Sequence, residues 1–312
     1  MEKVVIKTEN LTKVFRIGFR GRRVTALSNL NLEVKEGEIF GFLGPNGAGK
    51  TTTIKILMGL IYPTSGKAWL FDKELGDVDV KMRIGFLPEQ PYFYDYLTSE
   101  EFLRFYGQIF GVTGRELEIR IKTLLEMVGL KGAADLQLRK YSKGMLQRIG
   151  IAQALINHPD LIVLDEPMSG LDPIGRKEIR DIILRLKDEG KTIFFSTHII
   201  PDVEMICDRV GIVMGGELLN VGRLNDIIDA RIKHIEIIAS GLNKETLIHM
   251  KAMGVIIYDT SDQVSIKWMD ENRLDSILEM IRSGTGRIIS VIPHRETLEE
   301  HFIKKIGEER NS

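Results

Sequence analysis

The chain has 312 residues, enough for about two domains. Its 43 lysines and arginines balance 44 aspartates and glutamates, so no overall positive field draws it to nucleic acid. The one cysteine, Cys207, excludes an internal disulfide, and the absence of a long apolar run or an apolar leader predicts a cytosolic chain that reaches a membrane only through a partner.

The first elements are predicted to be strands around a segment rich in arginine and glycine. Residues 4–7 and 24–34 have strand patterns, and residues 16–23 are expected to be the loop between them. Residues 30–34 alternate apolar and polar side chains, as a half-buried strand does. Ile39–Leu43 is a short apolar run typical of a buried strand.

A phosphate-loop pattern follows that strand directly. Gly44 and Gly49 frame four residues, Lys50 and Thr51 come next, and apolar residues from Ile54 predict a helix. Glycines let backbone N–H groups converge on a phosphate, and the helix N-terminus adds partial positive charge. Lys50 would contact the β- and γ-phosphates and Thr51 would ligate Mg²⁺. A glycine-rich turn before a core helix is the alternative. The predicted nucleotide-binding residues are Gly44, Pro45, Asn46, Gly47, Ala48, Gly49, Lys50, Thr51 and Thr52.

The middle of the chain changes from strands to helices. Residues 62–66 should turn, residues 68–71 should form a strand, and residues 84–98 are predicted to be a loop rich in aromatic side chains. From Thr98 to about residue 155 the apolar spacing is helical. We expect two apolar stripes to lie in the core rather than hold a cofactor: Phe102, Phe105, Tyr106 and Ile109 in one, and Leu117, Ile121, Leu124, Leu125 and Val128 in the other.

Strands and helices alternate again after residue 160. Residues 161–164 and 192–196 read as buried strands, with a helix over 174–187 between them and His198 just past the second strand. This alternation predicts a parallel sheet. Residues 209–221 are expected to form a hairpin.

An acidic pair ends the strand at 161–164. Asp165 lies at the carboxyl end of that strand, where open α/β sheets bind ligands, and would hold Mg²⁺ directly or through water beside Thr51. Glu166 is the candidate general base for an attacking water. Helix capping is the alternative role for such a pair. A phosphate loop in the same chain favours the metal and base roles.

Residues 223–312 differ in character and are predicted to be a second domain. Strand and helix patterns follow the order β-α-β-β-α-β, which predicts a ferredoxin-like α+β module. A closing helix is expected over 296–306, and this tail carries no catalytic cluster. The predicted elements span residues 234–240, 244–253, 255–259, 264–268, 272–282 and 287–292.

Five ordered motifs resemble the nucleotide-binding subunit of ATP-binding cassette (ABC) transporters over residues 4 to about 222. Besides the phosphate loop they lie at residues 141–148, 164–167, 169–173 and 196–198. Ser142-Lys143-Gly144-Met145 departs from the common Ser-Gly-Gly-Gln signature. That form and the C-terminal module resemble the branch that serves ABC-2-type exporters. The resemblance implies an α/β P-loop ATPase cassette over 1–222, with a mixed sheet core, an antiparallel β subdomain and a helical subdomain at about 98–155.

The resemblance also assigns roles to residues outside the phosphate loop. Phe15 lies where the family places an aromatic that stacks on adenine, although a core phenylalanine is the alternative. Ser142 and Gly144 would bind the γ-phosphate of ATP held by the other subunit, and Asp172 would act at the subunit interface. His198 would hydrogen-bond the γ-phosphate and orient the water.

One loop departs from the family pattern. The family places a glutamine after a proline in the loop that joins the two subdomains, and its carbonyl reaches Mg²⁺ and the attacking water. Here the order is Pro88-Glu89-Gln90-Pro91. Register counting to Thr98 favours Glu89 at that position, and a shift of one residue would put Gln90 there.

The function implied is an ATPase that dimerises around ATP and Mg²⁺, as a homodimer or heterodimer, and drives export by a separate membrane permease. It would sit on the cytoplasmic face of the membrane, with no nucleic-acid partner, and the helical subdomain with residues 86–97 would form the groove for the permease. A DNA-repair ABC ATPase would carry long coiled-coil heptads between its motifs, and this sequence has none. An ABC translation factor would carry two cassettes, and this sequence has one phosphate loop. A regulatory subunit without hydrolysis is disfavoured only by the presence of Lys50 and Glu166.

Overall fold

The computed structural model describes residues 3–18, 21–227, 232–252, 255–259, 263–269, 274–295 and residue 300. It divides into two compact units, Met1–Leu224 and Asn225–Ser312. None of the helices in these ranges combines the length and the apolar composition needed to cross a membrane.

The first unit contains two sheets with helices packed against them. Its elements in chain order are β1 (Val4–Ile17), β2 (Arg22–Lys35), β3 (Ile39–Leu43), α1 (Lys50–Leu57), β4 (Ser65–Leu70), β5 (Lys73–Glu74), α2 (Val78–Met82), β6 (Ile84–Leu87), α3 (Ser99–Ile109), α4 (Gly114–Met127), α5 (Lys143–Ala154), β7 (Leu161–Asp165), α6 (Pro173–Asp188), β8 (Thr192–Thr197), α7 (Ile200–Ile206), β9 (Arg209–Met214) and β10 (Glu217–Gly222), with α8 (Leu224–Ile227) after them.

The central sheet determines where the functional residues can meet. Its strand order is β10-β9-β3-β8-β7-β6, and β9, β3, β8, β7 and β6 pair in parallel, as the alternation of strands and helices predicted. All residues of β3, β7 and β8 are buried, which explains why the middle of each strand is apolar. Parallel neighbours end at the same edge of a sheet, so the segments after β3, β7 and β8 lie side by side.

A second, antiparallel sheet packs over the first helix. Its order is β2-β1-β4-β5. Leu27 and Leu30 of β2, Phe40 of β3 and Ile54 of α1 belong to one buried cluster. Burying an aliphatic or aromatic side chain stabilises the fold by about 1.5–3 kcal/mol. This cluster fixes α1, and with it the start of the phosphate-binding helix, against β2 and β3.

The β1–β2 hairpin and the β6 segment differ from the sequence prediction. The pairing continues through Arg16 with Arg23 and Ile17 with Arg22, so four of the eight residues of the predicted loop over 16–23 are strand. Ile84–Leu87, predicted to be the start of a loop, forms the edge strand of the central sheet and pairs with β7. The prediction failed because four residues are too few to show periodicity, and the aromatic side chains after them dominate the pattern.

One of the two predicted core stripes is wrong in part. Leu117, Ile121 and the other members of the α4 stripe are buried, as predicted. On α3, Phe102 is buried, but Phe105 and Ile109 are exposed. Aromatic residues of the 88–97 loop contact α3 at Phe102 and Phe105, but they leave Phe105 39% exposed. The thiol of Cys207 packs against Gly41, where an added Cβ would lie 2.7 Å from the sulfur.

The second unit has the predicted β-α-β-β-α-β order. Its sheet runs β12-β13-β11-β14, and all neighbours are antiparallel. Ile235, Ile237, Met250, Ile266 and Ile277 form its buried core. Of the helix predicted over 296–306, all residues except 300 lie outside the described ranges. The elements are β11 (Ile232–Ser240), α9 (Lys244–Ala252), β12 (Ile256–Asp259), β13 (Val264–Trp268), α10 (Leu274–Ser283) and β14 (Arg287–Arg295).

Candidate active site

The loop between β3 and α1 has glycines where a side chain would clash. A Cβ at Gly44 would lie 2.3 Å from the carbonyl oxygen of Val213, and a Cβ at Gly49 would lie 2.6 Å from that of Ala26. Gly47 has a φ of +83° and nothing within 4 Å of its Cβ position. The loop is therefore packed closely on one side and open on the other, as a phosphate cradle requires.

Lys50 lies buried inside this loop. Its Nζ donates hydrogen bonds to the carbonyl oxygens of Gly44, at 2.7 Å, and Pro45, at 3.2 Å. The same Nζ lies 3.0 Å from Oε1 of Glu166, and the two side chains are only 5% and 6% exposed. The cation is thus held where the loop opens, with a carboxylate as its counter-charge.

Glu166 follows β7 and connects Lys50 to His198. Its backbone has a φ of +52°, a left-handed conformation that costs a non-glycine residue of order 1–3 kcal/mol. Its N–H donates to Oγ of Ser196 at 3.0 Å, which holds that conformation. Its Oε2 lies 2.9 Å from Nδ1 of His198. One carboxylate oxygen therefore faces a lysine and the other faces a histidine at the same sheet edge.

Asp165 lies one residue earlier and is almost fully buried. Its Oδ1 accepts hydrogen bonds from Ser196, at 2.6 Å, and from Thr51, at 3.3 Å. Burial raises the pKa of Asp165, although the bonds from Ser196 and Thr51 oppose the shift and the charges of Glu89 and Glu166 add to it. A cation bound at this carboxylate would oppose the shift.

The donor set around Asp165 fits Mg²⁺. A hydroxyl and a carboxylate oxygen already face one another, and Mg²⁺ takes one or two protein oxygens together with water and substrate phosphates. No group of three His, Cys, Asp or Glu side chains suited to a metal gathers within the described ranges. The remaining ligands would have to come from a nucleotide and water.

Ser196 was missed by the sequence analysis. It bridges Asp165 and the backbone of Glu166 from the neighbouring strand β8. The sequence did contain a signal for this residue, since Ser196 is a small polar residue at the end of an apolar strand, two positions before His198.

An open cleft is lined by Lys50, Thr51 and Glu166, and Glu89 also lines it. The neighbouring cleft contains Gln90 together with Lys143, and both clefts share Glu89 and Glu166. Glu89 therefore lines the same cleft as Thr51, whereas Gln90 lines the neighbouring cleft. The lining of the first cleft is Ala26, Asn46, Gly47, Gly49, Lys50, Thr51, Thr52, Glu89 and Glu166.

The four predicted binding residues outside the phosphate loop do not line this cleft. Ser142 caps α5 by accepting a hydrogen bond from the N–H of Met145 at 3.3 Å, with Gly144 in the same first turn. Asp172 caps α6 through the N–H of Gly175 at 2.8 Å. Phe15 is half-buried on β1. Nζ of Lys13 lies over its ring at 5.0 Å.

Comparison with known proteins finds relatives that match this chain over most of its length. The protein-family model described as ABC transporter matches residues 27–169. The ABC transporter ATP-binding protein sll0415 of Synechocystis sp. is 44% identical over 309 residues, covering 97% of this chain and 85% of that protein. The bacitracin transport ATP-binding protein BcrA of Bacillus licheniformis is 36% identical over 307 residues, covering 97% of both chains.

Solved structures of an ABC cassette are also similar to this chain. The dimeric structure of the bacterial ABC transporter cassette MJ0796 is 30% identical with a TM-score of 0.65, and the match covers 70% of this chain and 99% of that one. The same cassette in a dimeric post-hydrolysis state bound to ADP and Pi is 29% identical, with a TM-score of 0.64.

Proposed function

The chain belongs to the family of ABC transporter ATP-binding proteins, and on that premise we propose how it hydrolyses ATP and powers export. The observation that carries the proposal is the meeting of Lys50, Glu166 and His198 at one sheet edge, next to Thr51 and Asp165. Two copies would close around two ATP molecules, and a separate ABC-2-type permease would use the closure to export its substrate.

The phosphate loop supplies the binding part of the site. An arriving phosphate would enter on the open side of Gly47 and replace the carbonyl oxygens of Gly44 and Pro45 as the partners of Lys50. Lys50 would then leave Glu166 for the β- and γ-phosphates. Bound Mg²⁺, held by Thr51 and Asp165, would supply charge that offsets the charge of the phosphates.

Glu166 and His198 supply the proton chemistry. Once Lys50 turns to the phosphates, Oε1 of Glu166 is free to accept a proton from an attacking water. The contact of Oε2 with His198 fixes the orientation of the carboxylate. His198 is partly exposed, so it can also reach the γ-phosphate.

The residues outside the cleft would complete the site of a second copy. Ser142 and Gly144 open α5, whose N-terminus has no acidic residue in its first turn and so favours an anion. Asp172 is the N-cap of α6 and would act at the interface between the two copies. Phe15 presents an aromatic face for adenine, with Lys13 on the ring as the competing cation.

An exposed aromatic cluster supports the proposal that this part of the chain binds the permease. Tyr92 and Tyr96 are 81% and 60% exposed. Tyr94 contacts both of them and Phe105 edge to face, with ring centroids 5.4–6.2 Å apart. Exposed aromatic groups of this kind mark sites for another protein. A permease segment there would hold the chain on the cytoplasmic face of the membrane.

Trapping the ATP-bound state tests the proposal. Glu166→Gln keeps the size of the side chain but removes the base, so hydrolysis should fall about 10²- to 10⁴-fold while ATP still binds. Size-exclusion chromatography should then show a dimer that forms only with ATP. Adding Ser142→Arg should abolish the dimer, whereas Thr113→Arg, at the first position before α4, should not. Hydrolysis at the parental rate by Glu166→Gln would refute the assigned base.

A further inference from the structure

His198 lies between two elements that are anchored to different parts of the cassette. On the β8 side, the carbonyl oxygen of Thr197 accepts a hydrogen bond from the N–H of Gly44 at 3.1 Å. On the other side, α7 begins two residues after His198. The position of His198 relative to Glu166 therefore depends on what holds the first turn of α7.

A buried ion pair holds that turn. Asp202 is 2% exposed, and its Oδ1 lies 2.9 Å from Nη1 of Arg180 on α6, which is 18% exposed. The other carboxylate oxygen, Oδ2, is buried without a hydrogen bond. An acid in this turn would ordinarily cap the helix by accepting from the N–H of Ile199, but that N–H donates to Oγ1 of Thr197 at 3.0 Å. Asp202 thus contacts α6 instead of capping α7.

Stability alone does not account for this pair. A buried polar atom without a partner costs about 1–3 kcal/mol. A buried ion pair is often no more stabilising than apolar residues of the same volume. The arrangement does join two functional segments, because Asp172, the N-cap of α6, lies eight residues or about 12 Å of helix before Arg180.

We propose that Asp202 and Arg180 are positioning residues that hold His198 in line with Glu166 and tie its position to the α6 helix that Asp172 opens. The inference rests on the proposed function, in which Asp172 lies at the interface between two copies. Closure at Asp172 would move α6, and the ion pair would pass that movement to α7 and His198.

The chain contains a matched control pair. Lys187, farther along α6, contacts Asp208, which follows the end of α7. This pair also ties α6 to the α7 segment, but it lies ten residues after His198 in the chain. Loss of Lys187 removes an ion pair between the same parts of the fold without freeing the first turn of α7.

The experiment measures kcat and KM for MgATP with the full chain. Asp202→Asn and Arg180→Gln should each lower kcat roughly tenfold, since small misplacements of a catalytic group cost this much or more. KM should change by less than about twofold, because the phosphate loop is untouched. Arg180→Lys should recover most of the kcat, and Lys187→Gln should keep the parental value.

A second measurement separates positioning from general stability. Combined with Glu166→Gln, Asp202→Asn should still allow the ATP-dependent dimer. Parental kcat in both Asp202→Asn and Arg180→Gln, or a joint loss of ATP binding and dimer formation, overturns the positioning role. If Asp202→Asn fails to fold, the contrast of Arg180→Lys with Arg180→Gln decides in the same way. A parent chain that does not hydrolyse MgATP overturns the proposed function itself, a result distinct from a parental kcat in the variants.

Discussion

The two compact units place their charged side chains in opposite ways. In the first unit, Lys50 and Glu166 are buried as a pair at the end of parallel strands. In the second, Glu236 lies on a strand face, accepts a hydrogen bond from Ser265 at 2.7 Å and contacts His294 at 3.0 Å, and remains partly exposed. The ring of His294 also stacks on His234, with centroids 4.5 Å apart.

Sheet topology explains the difference. Parallel strands bring the segments after them to one edge, where side chains from distant parts of the sequence converge. In the antiparallel second sheet, neighbouring strands end at opposite edges, so polar groups pair across a face instead. Burial raises the pKa of Asp165, whereas hydrogen bonds from Ser265 and His294 lower the pKa of Glu236. In the first unit, burial disfavours the ionised form of Asp165, and a bound cation would offset this effect. In the second unit, the ionised form of Glu236 is stabilised by hydrogen bonds from its own neighbours.

The largest expected effect is the loss of the buried cation in the first unit. Lys50→Ala should lower ATP hydrolysis by about 10²- to 10³-fold, the range found when one preorganised hydrogen-bond donor is removed. It should also weaken ATP binding, measured by equilibrium titration. Lys55→Ala, an exposed lysine of the same helix, is the matched control and should stay at the parental level. Unchanged ATP affinity and hydrolysis in Lys50→Ala would refute the phosphate-loop assignment. The buried ion pair of the first unit would then have no more functional role than the Glu236 contacts of the second.

An intermediate effect is expected at the rim of the cleft. Glu89 lines the cleft that contains Thr51, and its charge raises the pKa of Asp165, so we expect its carboxylate to act on Mg²⁺. Glu89→Ala should raise the Mg²⁺ concentration needed for half-maximal hydrolysis several-fold, in keeping with the strength of a charged oxygen ligand. Gln90→Ala should leave this requirement unchanged. The reverse result in a Mg²⁺ titration would show that Gln90 is the residue coupled to the metal.

The smallest effect is expected from removal of the second unit. Neither cleft that contains Glu166 is lined by a described residue beyond 222. A chain ending at residue 224 should therefore keep kcat within about twofold, because the core of the first unit stays complete. Circular dichroism and ATP binding would confirm that it is folded. Loss of hydrolysis in a folded, ATP-binding truncation would show that the second unit contributes to the chemistry.

Segments with a strong local pattern were predicted best. Ile39–Leu43 was predicted with the same bounds as β3, and the helix over 174–187 differs from α6 by one residue at each end. Ile84–Leu87 was missed because its strand character comes from pairing with β7 rather than from its own residues. Phe105 followed the apolar spacing of its helix, yet it is exposed because the edge-to-face contact with Tyr94 leaves much of its ring uncovered.

The sequence by itself determined the chemistry that can occur. It gave the residue types and spacing of the phosphate loop, the acidic pair after β7 and the histidine after β8, because these depend on contiguous residues. Only the tertiary structure decided which of them meet: that Lys50 pairs with Glu166, that Ser196 bridges the two acids, and that Glu89 rather than Gln90 lines the cleft of Thr51. Those contacts join residues up to 116 positions apart, and they arise because parallel strands end at a common edge, which no local pattern specifies.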